Sequence, residues 1–118
     1  MEQAVSVIKR RVDQNHGDIV KELRSYPGCT CFSTAALGSG IPDLCIGYQG
    51  VTVLAEVKSG RGKLNTYQKA FHEAWCGSTI VVLRTQDDVA NLLNHMDRMR
   101  RVFGRIPGQD IDLDHEGG

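Results

Sequence analysis

The sequence has no apolar run that approaches the roughly 18 residues a membrane-spanning helix needs. Its first residues, Met1, Glu2 and Gln3, lack the basic and apolar regions of a signal peptide. We therefore expect a cytoplasmic protein without a membrane partner.

The formal net charge is +0, from 14 basic and 14 acidic residues. This balance is unlike that of a protein that coats nucleic acid tightly.

The cysteine pattern of a zinc site is also missing. Cys29-x-Cys31 is followed by no second pair, because Cys45 and Cys76 stand alone. This is not the spacing of a structural zinc site. In the cytoplasm we expect all 4 thiols to be reduced.

The length of 118 residues favours one compact domain without a separate recognition domain. We assign residues 1–105 to this domain and residues 106–118 to an acidic tail, whose acids are Asp110, Asp112, Asp114 and Glu116. Because these acids are clustered, the rest of the chain has an excess of basic residues. A basic surface that faces nucleic acid is therefore compatible with the zero net charge.

Hydrophobic periodicity predicts the order helix, three strands, helix, strand, helix. Apolar residues recur at helical spacing over 3–14 and 18–23, and Asn15-His16-Gly17 between them leaves open one bent helix or two. The other predicted elements are strands at 30–34, 41–48 and 51–58, a helix at 63–75, a strand at 78–84, and a helix at 87–102 ended by Gly104. The last strand follows a helical crossover, so we expect it to be parallel to its neighbour. The fold class is α/β, a mixed sheet flanked by helices.

Only Gln49-Gly50 separates two of the predicted strands, which indicates a two-residue hairpin turn. If Tyr48 faces Val51, the same register places Asp43 opposite Glu56. Directly opposed residues of antiparallel strands project to one face, with Cβ atoms about 4.5–5.5 Å apart. The hairpin therefore brings two carboxylates together.

Lys58 joins these acids because it follows Glu56 by two residues and the side chains of a strand alternate between its faces. Two carboxylates so close repel each other unless a proton or cation lies between them, and oxygen ligands favour a hard ion such as Mg²⁺. Pro42, at the start of the strand, is consistent with strands that diverge beside a site. The pattern predicts a metal site, although Glu-x-Lys alone is more often a solvated charge pair.

In the helix predicted at 63–75, one residue is a candidate for the site and others are interpreted as structural. Gln68 lies on the apolar stripe with Leu64, so its amide needs a partner, either in the acid cluster or on the backbone. His72, at the edge of the stripe, and His16 are interpreted as structural or solvated, because spacing places no acid beside them. The residues interpreted as core or dimer surface are Phe71, Trp75 and, on the last helix, Leu92, Leu93 and Met96.

Gly40-Ile41-Pro42-Asp43, Glu56-Val57-Lys58, Leu64 and Gln68 resemble the motifs of the PD-(D/E)xK nuclease superfamily. Within it, the pattern is similar to the VRR-NUC (virus-type replication-repair nuclease) family, over about residues 2–95. Each motif is weak alone, but their order, spacing and hairpin register are together fairly specific. The resemblance implies a restriction-endonuclease-like core with the order αβββαβα.

The resemblance also implies a role for each residue of the motifs. Asp43, Glu56 and the backbone carbonyl of Val57 would bind Mg²⁺ or Mn²⁺. Lys58 would position the attacking water and balance the negative charge that develops. Gln68 matches the glutamine that family members have on the following helix.

Two further sets of residues complete the predicted site. The family pattern includes an acid early in the first helix, as a catalytic and metal-binding residue, for which Glu2 is the better match and Glu22 the competitor. Arg61, Lys63 and Lys69 follow the motifs closely in sequence and are candidates for contacts with DNA phosphates. Exposed lysines near a turn are otherwise solvated.

The function that the resemblance implies is metal-dependent hydrolysis of DNA phosphodiester bonds. Stand-alone members are small phage or bacterial proteins that resolve four-way (Holliday) junctions as homodimers, which would place this protein in a bacterial or phage-infected cell. Paired cuts require two copies, and the last helix is a candidate interface through Leu92, Leu93, Met96 and Met99. The alternatives are a flap or restriction-type nuclease, or a catalytically silent nucleic-acid-binding relative, against which the intact Asp43, Glu56 and Lys58 argue.

Overall fold

The structure, a computed structural model, describes the backbone of residues 2–103 and the side chains of residues 14–100. Its elements, numbered in chain order, are α1 Glu2–Ser25, β1 Cys29–Ser33, β2 Leu44–Tyr48, β3 Val51–Val57, α2 Thr66–Ala74, β4 Val81–Leu83 and α3 Gln86–Phe103. A 3-10 turn at Ala35–Leu37 lies between β1 and β2. Gly104, which is predicted to end the last helix, and the predicted tail at 106–118 lie outside the described residues.

The strands form one four-stranded sheet in the order β1-β2-β3-β4. The first three are antiparallel to their neighbours, whereas β4 is parallel to β3. The segment that contains α2 provides the crossover that a parallel pair requires. The predictions of an α/β fold with a mixed sheet flanked by helices, and of a parallel last strand, are confirmed. Within the described residues, no helix combines the length and apolar character needed to cross a membrane.

The first helical region is one continuous helix, α1, although Asn15, His16 and Gly17 interrupt its apolar pattern. Tertiary contacts outweigh local propensity here. Ile19 and Leu23 are completely buried beyond the interruption, and Asn15 bonds to the backbone of two distant segments. Of the two possibilities that the sequence leaves open, the structure has the single helix.

The turn between β2 and β3 consists of Gln49 and Gly50. Their φ angles of 54° and 78° lie in the left-handed region, which a type I′ hairpin turn requires at both positions. Tyr48 faces Val51, and the register continues without a bulge along both strands. The predicted hairpin and its register are therefore confirmed.

One face of the sheet forms the floor of the hydrophobic core. Its buried side chains are Leu44, Ile46, Val53, Ala55 and Val57. Helices α1 and α3 pack on this face and on each other, and the buried residues they contribute are Ile19, Leu23, Val89, Leu92, Leu93 and Met96. Residues that alternate with the core positions project to the opposite face, where Glu56 meets α2.

The apolar side of α3 is used entirely within this core. Leu92 and Leu93 are each 4% exposed and Met96 is 0% exposed, while Met99 packs against the edge of the cluster. Of the two predicted interpretations, core or dimer surface, the core is confirmed for Leu92, Leu93 and Met96, so these three residues do not form a spare apolar surface for a dimer. In the part of the chain that the structure describes, helices α1 and α3 cover the core face of the sheet, so α3 fills a wide part of it.

Helix α2 is attached differently, because it has no buried residue. Trp75, which follows it, is 42% exposed and stacks on Phe71 with ring centroids 5.7 Å apart. Trp75 is therefore not a core residue, contrary to one of the two predicted interpretations. The other interpretation, a dimer surface, stays a prediction.

Several elements are shorter than their hydrophobic patterns predict. Helix α2 begins at Thr66, because the side chain of Asn65 accepts a hydrogen bond from the Gln68 N–H and forms a capping box with it. Strand β2 begins at Leu44, since Pro42 has no N–H for the ladder. Of the strand predicted at 78–84, only Val81–Leu83 pairs with β3.

Candidate active site

Asp43 and Glu56 approach each other at the open end of the hairpin. Leu44 pairs with Ala55, so the next positions outward are Asp43 and Glu56. Oδ2 of Asp43 accepts a 2.8 Å hydrogen bond from the backbone N–H of Val57, which ties the Asp43 side chain to the neighbouring strand. The structure thus brings together the two carboxylates that the register predicts.

Glu56 is the buried acid of this pair. Its exposure is 0%, and no other charged or polar residue is among the buried residues of the described chain. Oε2 accepts a hydrogen bond of 3.4 Å from Nε2 of Gln68. Oε1 has no hydrogen-bond partner among the described residues. A carboxylate in this position has lost its hydration without full replacement, which is unfavourable for its charge.

The pKa of Glu56 is accordingly raised from 4.5 to about 8. Burial is the largest cause, followed by the negative charge of Asp43 and hydrogen bonding with it. The positive charge of Lys58 acts in the opposite direction. Without a cation, the pair of acids therefore keeps one proton up to neutral pH, whereas a bound cation favours the ionised form.

Lys58 lies directly after β3, and its backbone is fixed from two sides. Its N–H donates to the carbonyl of Leu83 at 3.0 Å, and its carbonyl accepts a 3.0 Å hydrogen bond from Nδ2 of Asn15. The side chain is partly buried and close enough for its charge to influence Glu56. All three motif residues thus lie at one end of the sheet.

Asn15 and Arg84 support this end of the sheet and are not among the residues predicted for the site. Besides its bond to Lys58, Asn15 donates to the carbonyl of Arg84 at 3.4 Å. Nη1 of Arg84 donates to the carbonyls of Gly60 and Gly62, at 2.9 and 2.8 Å. Arg84 therefore holds the loop that follows Lys58.

The sequence contains a signal for each of these supporting residues. Asn15 falls on the apolar stripe of α1, three residues after Val12 and four before Ile19, so a tertiary partner is to be expected. Arg84 directly follows β4, and the carboxyl ends of parallel strands meet at the same edge of a sheet.

Gln68 uses both ends of its amide. Oε1 accepts from the N–H of Asn65 at 2.9 Å, within the capping box of α2, and Nε2 donates to Glu56. The acid cluster and the backbone, the two partners considered for Gln68 from the sequence, are both present. The start of α2 is thereby coupled to the buried carboxylate.

His72 also faces Glu56, one helical turn after Gln68. Its Nε2 is 3.8 Å from Oε1 of Glu56, and its side chain is 18% exposed. The premise that no acid lies beside His72 is wrong, because the acid belongs to β3 and is distant in sequence. His16, in contrast, lines a cavity of about 670 Å³ between α1 and β1 with Cys31 and Leu44.

The acid predicted in the first helix has two candidates, Glu2 and Glu22. The side chain of Glu2 lies outside the described residues, so its role stays a prediction. The charges that shift the pKa of Glu56 belong to Asp43 and Lys58, and Glu22 is not among them.

A cleft of about 470 Å³ opens beside Asp43, between the loop 38–41 and the start of α2. Gly40 has a φ of +79°, and a Cβ there would overlap the carbonyl oxygen of Tyr67. This loop therefore packs directly against the α2 backbone. Arg61, Lys63 and Lys69 are exposed, the first two in the β3–α2 loop and the last on α2.

A divalent ion fits the groups at this end of the sheet. Asp43 and Glu56 are hard oxygen donors, and Oε1 of Glu56 is buried without a partner. Among the side chains that the structure describes, no three or more His, Cys, Asp or Glu residues are grouped to hold a metal. The described side chains would thus contribute two carboxylates, supplemented by the Val57 carbonyl and water. Mg²⁺ is commonly bound in this way, with several waters retained.

No protein-family model matches this sequence, and no curated protein matches it significantly. A function is therefore inferred from the geometry of Asp43, Glu56 and Lys58 and from the motifs that contain them.

Proposed function

We propose that this protein is a Mg²⁺- or Mn²⁺-dependent DNA endonuclease of the VRR-NUC type, with a PD-(D/E)xK core, that resolves four-way junctions as a homodimer. The observation that carries this proposal is the convergence of Asp43, buried Glu56 and Lys58 at the end of one β-hairpin. A buried carboxylate beside a second acid destabilises the ionised site unless a cation is bound. Carboxylates with a strongly raised pKa beside a second acid are typical of functional sites.

The sheet supports the proposal because all three residues lie on a strand or directly next to a strand end. Glu56 lies on the central strand β3, Asp43 directly precedes β2 and is bonded to the N–H of Val57, and β4 and α1 fix the backbone of Lys58. A site built on such elements holds its side chains more precisely than one built on loops. The mixed sheet with a parallel last strand is compatible with a PD-(D/E)xK core.

In the proposed reaction, Asp43, Glu56 and the carbonyl of Val57 would hold the divalent ion. When bound, the ion supplies Lewis-acid polarisation of the scissile phosphate and lowers the pKa of water. Lys58 orients the attacking water and offsets the negative charge that develops on the phosphate oxygens. Gln68 restricts the orientation of Glu56 through its hydrogen bond.

DNA is the proposed substrate because exposed basic residues lie on the loop and helix that follow Lys58. Arg61, Lys63 and Lys69 lie on the loop and helix next to the site, where they would contact backbone phosphates of the bound strand. Such contacts set the position of a strand without reading its bases. Selection of branched DNA would then come from the relative placement of two sites in a dimer.

The test is cleavage of a panel of labelled four-way junction, flap, duplex and single-stranded DNA with Mg²⁺ or Mn²⁺. We expect paired, symmetric incisions in the junction, and no cleavage by Asp43→Asn or Glu56→Gln. Glu73→Gln, at an exposed position of α2, is the matched control and should cleave like the unmodified protein. Preferred cleavage of the flap or duplex would indicate the other nuclease specificities. DNA binding without cleavage of any substrate would identify a silent relative.

A further inference from the structure

Two buried polar atoms, one on Glu56 and one on His72, face each other without forming a hydrogen bond. Oε1 of Glu56 and Nε2 of His72 are 3.8 Å apart, and neither has a hydrogen-bond partner among the described residues. An N–H···O hydrogen bond spans about 2.7–3.2 Å, so the separation is too long by less than roughly 1 Å. A small rotation of either side chain closes it.

Formation of this hydrogen bond is favourable because neither atom has another partner among the described residues. A buried polar atom without a hydrogen bond costs about 1–3 kcal/mol, and more when the group is charged. Joining the two atoms removes the cost for both. The hydrogen bond becomes stronger when Glu56 is ionised, because a charged acceptor binds a donor more tightly. Ionised Glu56 is also the form that binds a cation.

His72 and Gln68 reach Glu56 from the same side. They are four residues apart on α2, and residues at this spacing share one helical face. Gln68 donates to Oε2, and His72 faces Oε1. Each oxygen of Glu56 thus faces its own polar group on α2, while the carboxylate remains adjacent to Asp43 on the side of β2.

We infer that His72 is a positioning residue, which donates a hydrogen bond from Nε2 to Oε1 of Glu56 and fixes this carboxylate for the divalent ion. The inference rests on the proposed function. His72 does not coordinate the ion itself; it acts through Glu56, as residues that hold metal ligands in other proteins do. Loss of such a residue typically weakens metal binding by about 10- to 100-fold.

The variants His72→Leu and His72→Gln separate this role from packing. Leucine fills much of the space but has no donor. Glutamine has its amide nitrogen the same number of bonds from Cβ as Nε2 of histidine, so it can restore the hydrogen bond. The matched control is His95→Gln, on α3 at the opposite face of the sheet.

The measurement is the affinity of the full chain for Mn²⁺ and Mg²⁺ by titration calorimetry, without DNA. We expect His72→Leu to bind Mn²⁺ at least about tenfold more weakly, and His72→Gln and His95→Gln to bind it nearly as well as the unmodified protein. Equal affinity of His72→Leu, or equally weak binding by His72→Gln, would overturn the inference. If the unmodified protein binds no divalent ion, the proposed function itself fails.

Electron spin-echo spectroscopy of bound Mn²⁺ gives a second readout. A positioning role predicts no directly coordinated imidazole nitrogen in the spectrum of the unmodified protein. Coupling from a directly bonded ¹⁴N that disappears in His72→Leu would make His72 a metal ligand, and the inference would be wrong. Thermal unfolding of the metal-free variants establishes that each is folded before titration.

Discussion

Oδ2 of Asp43 accepts a 2.8 Å hydrogen bond from the backbone N–H of Val57. This bond crosses from the start of β2 to the end of β3, so the side chain of Asp43 is held against the strand that presents Glu56. The carboxylates are therefore kept together by the hairpin, even though their charges repel. The stability of the metal-free protein should report this repulsion.

The stability of the metal-free protein should decrease as the pH rises from about 4.5 to about 8. The pKa of Glu56 is raised over this interval, so the folded protein binds the proton more tightly than the unfolded chain does. The stabilisation that protonated Glu56 contributes is fully present below pH 4.5 and is lost as the pH passes 8. The free energy of unfolding therefore changes by at most ~1.4 kcal/mol per pH unit in this interval. Urea unfolding in EDTA measures the free energy of unfolding at each pH.

Glu56→Gln is the control for this pH dependence, because glutamine does not titrate. We expect its free energy of unfolding to be flatter over the same interval, and saturating Mg²⁺ to flatten the profile of the unmodified protein as well. Parallel profiles for Glu56→Gln and the unmodified protein in EDTA would show that another group causes the slope.

Replacement of Lys58 by Met should affect the reaction more than the fold. The backbone of Lys58 bonds to Leu83 and Asn15, and neither bond uses its side chain. We expect kcat for junction cleavage to fall by about 100- to 1,000-fold, the size of effect seen when one group that stabilises transition-state charge is removed. Rapid-mixing kinetics with saturating Mg²⁺ measures kcat. Near-normal turnover would refute the role of Lys58.

The hairpin could be predicted from the sequence because its determinants are local. Gln49-Gly50 defines the turn, and alternation along the strands then places Asp43 opposite Glu56. The contact between His72 and Glu56 could not be derived in this way, because it depends on how α2 packs on the sheet. The same limit explains the error at α3, where an apolar pattern does not reveal how much of a helix the core requires.

Gly40→Ala should disturb the site more than Gly38→Ala. Both residues have positive φ, +79° and +65°, so alanine costs about 1–3 kcal/mol of backbone strain at either position. Only at Gly40 would the new Cβ also overlap the carbonyl of Tyr67. We expect Gly40→Ala to unfold at lower urea concentration than Gly38→Ala and to bind Mn²⁺ more weakly, because displacement of α2 moves Gln68. Equal effects of the two substitutions would contradict this.

Arg84→Lys should lower DNA affinity while largely preserving metal binding. Nη1 of Arg84 bonds to the carbonyls of Gly60 and Gly62, and a lysine lacks the planar fork that holds this geometry. The loop that carries Arg61 would become less ordered, and we expect several-fold weaker binding of junction DNA at fixed salt. Arg98→Lys, at an exposed position of α3, is the control. Unchanged DNA affinity of Arg84→Lys would show that this loop does not bind DNA.

The active protein should be a symmetric dimer whose interface does not include the apolar side of α3. Sedimentation of the protein is expected to give about twice the 13.0 kDa chain mass. Because Leu92 is 4% exposed within its own core, Leu92→Ala should lower the free energy of unfolding by about 2–5 kcal/mol and leave the folded fraction dimeric. If Leu92→Ala is folded but monomeric, the apolar side of α3 does form the interface. A monomeric unmodified protein that cleaves junctions in proportion to its concentration would instead exclude the dimer and favour single incisions, as in a flap nuclease.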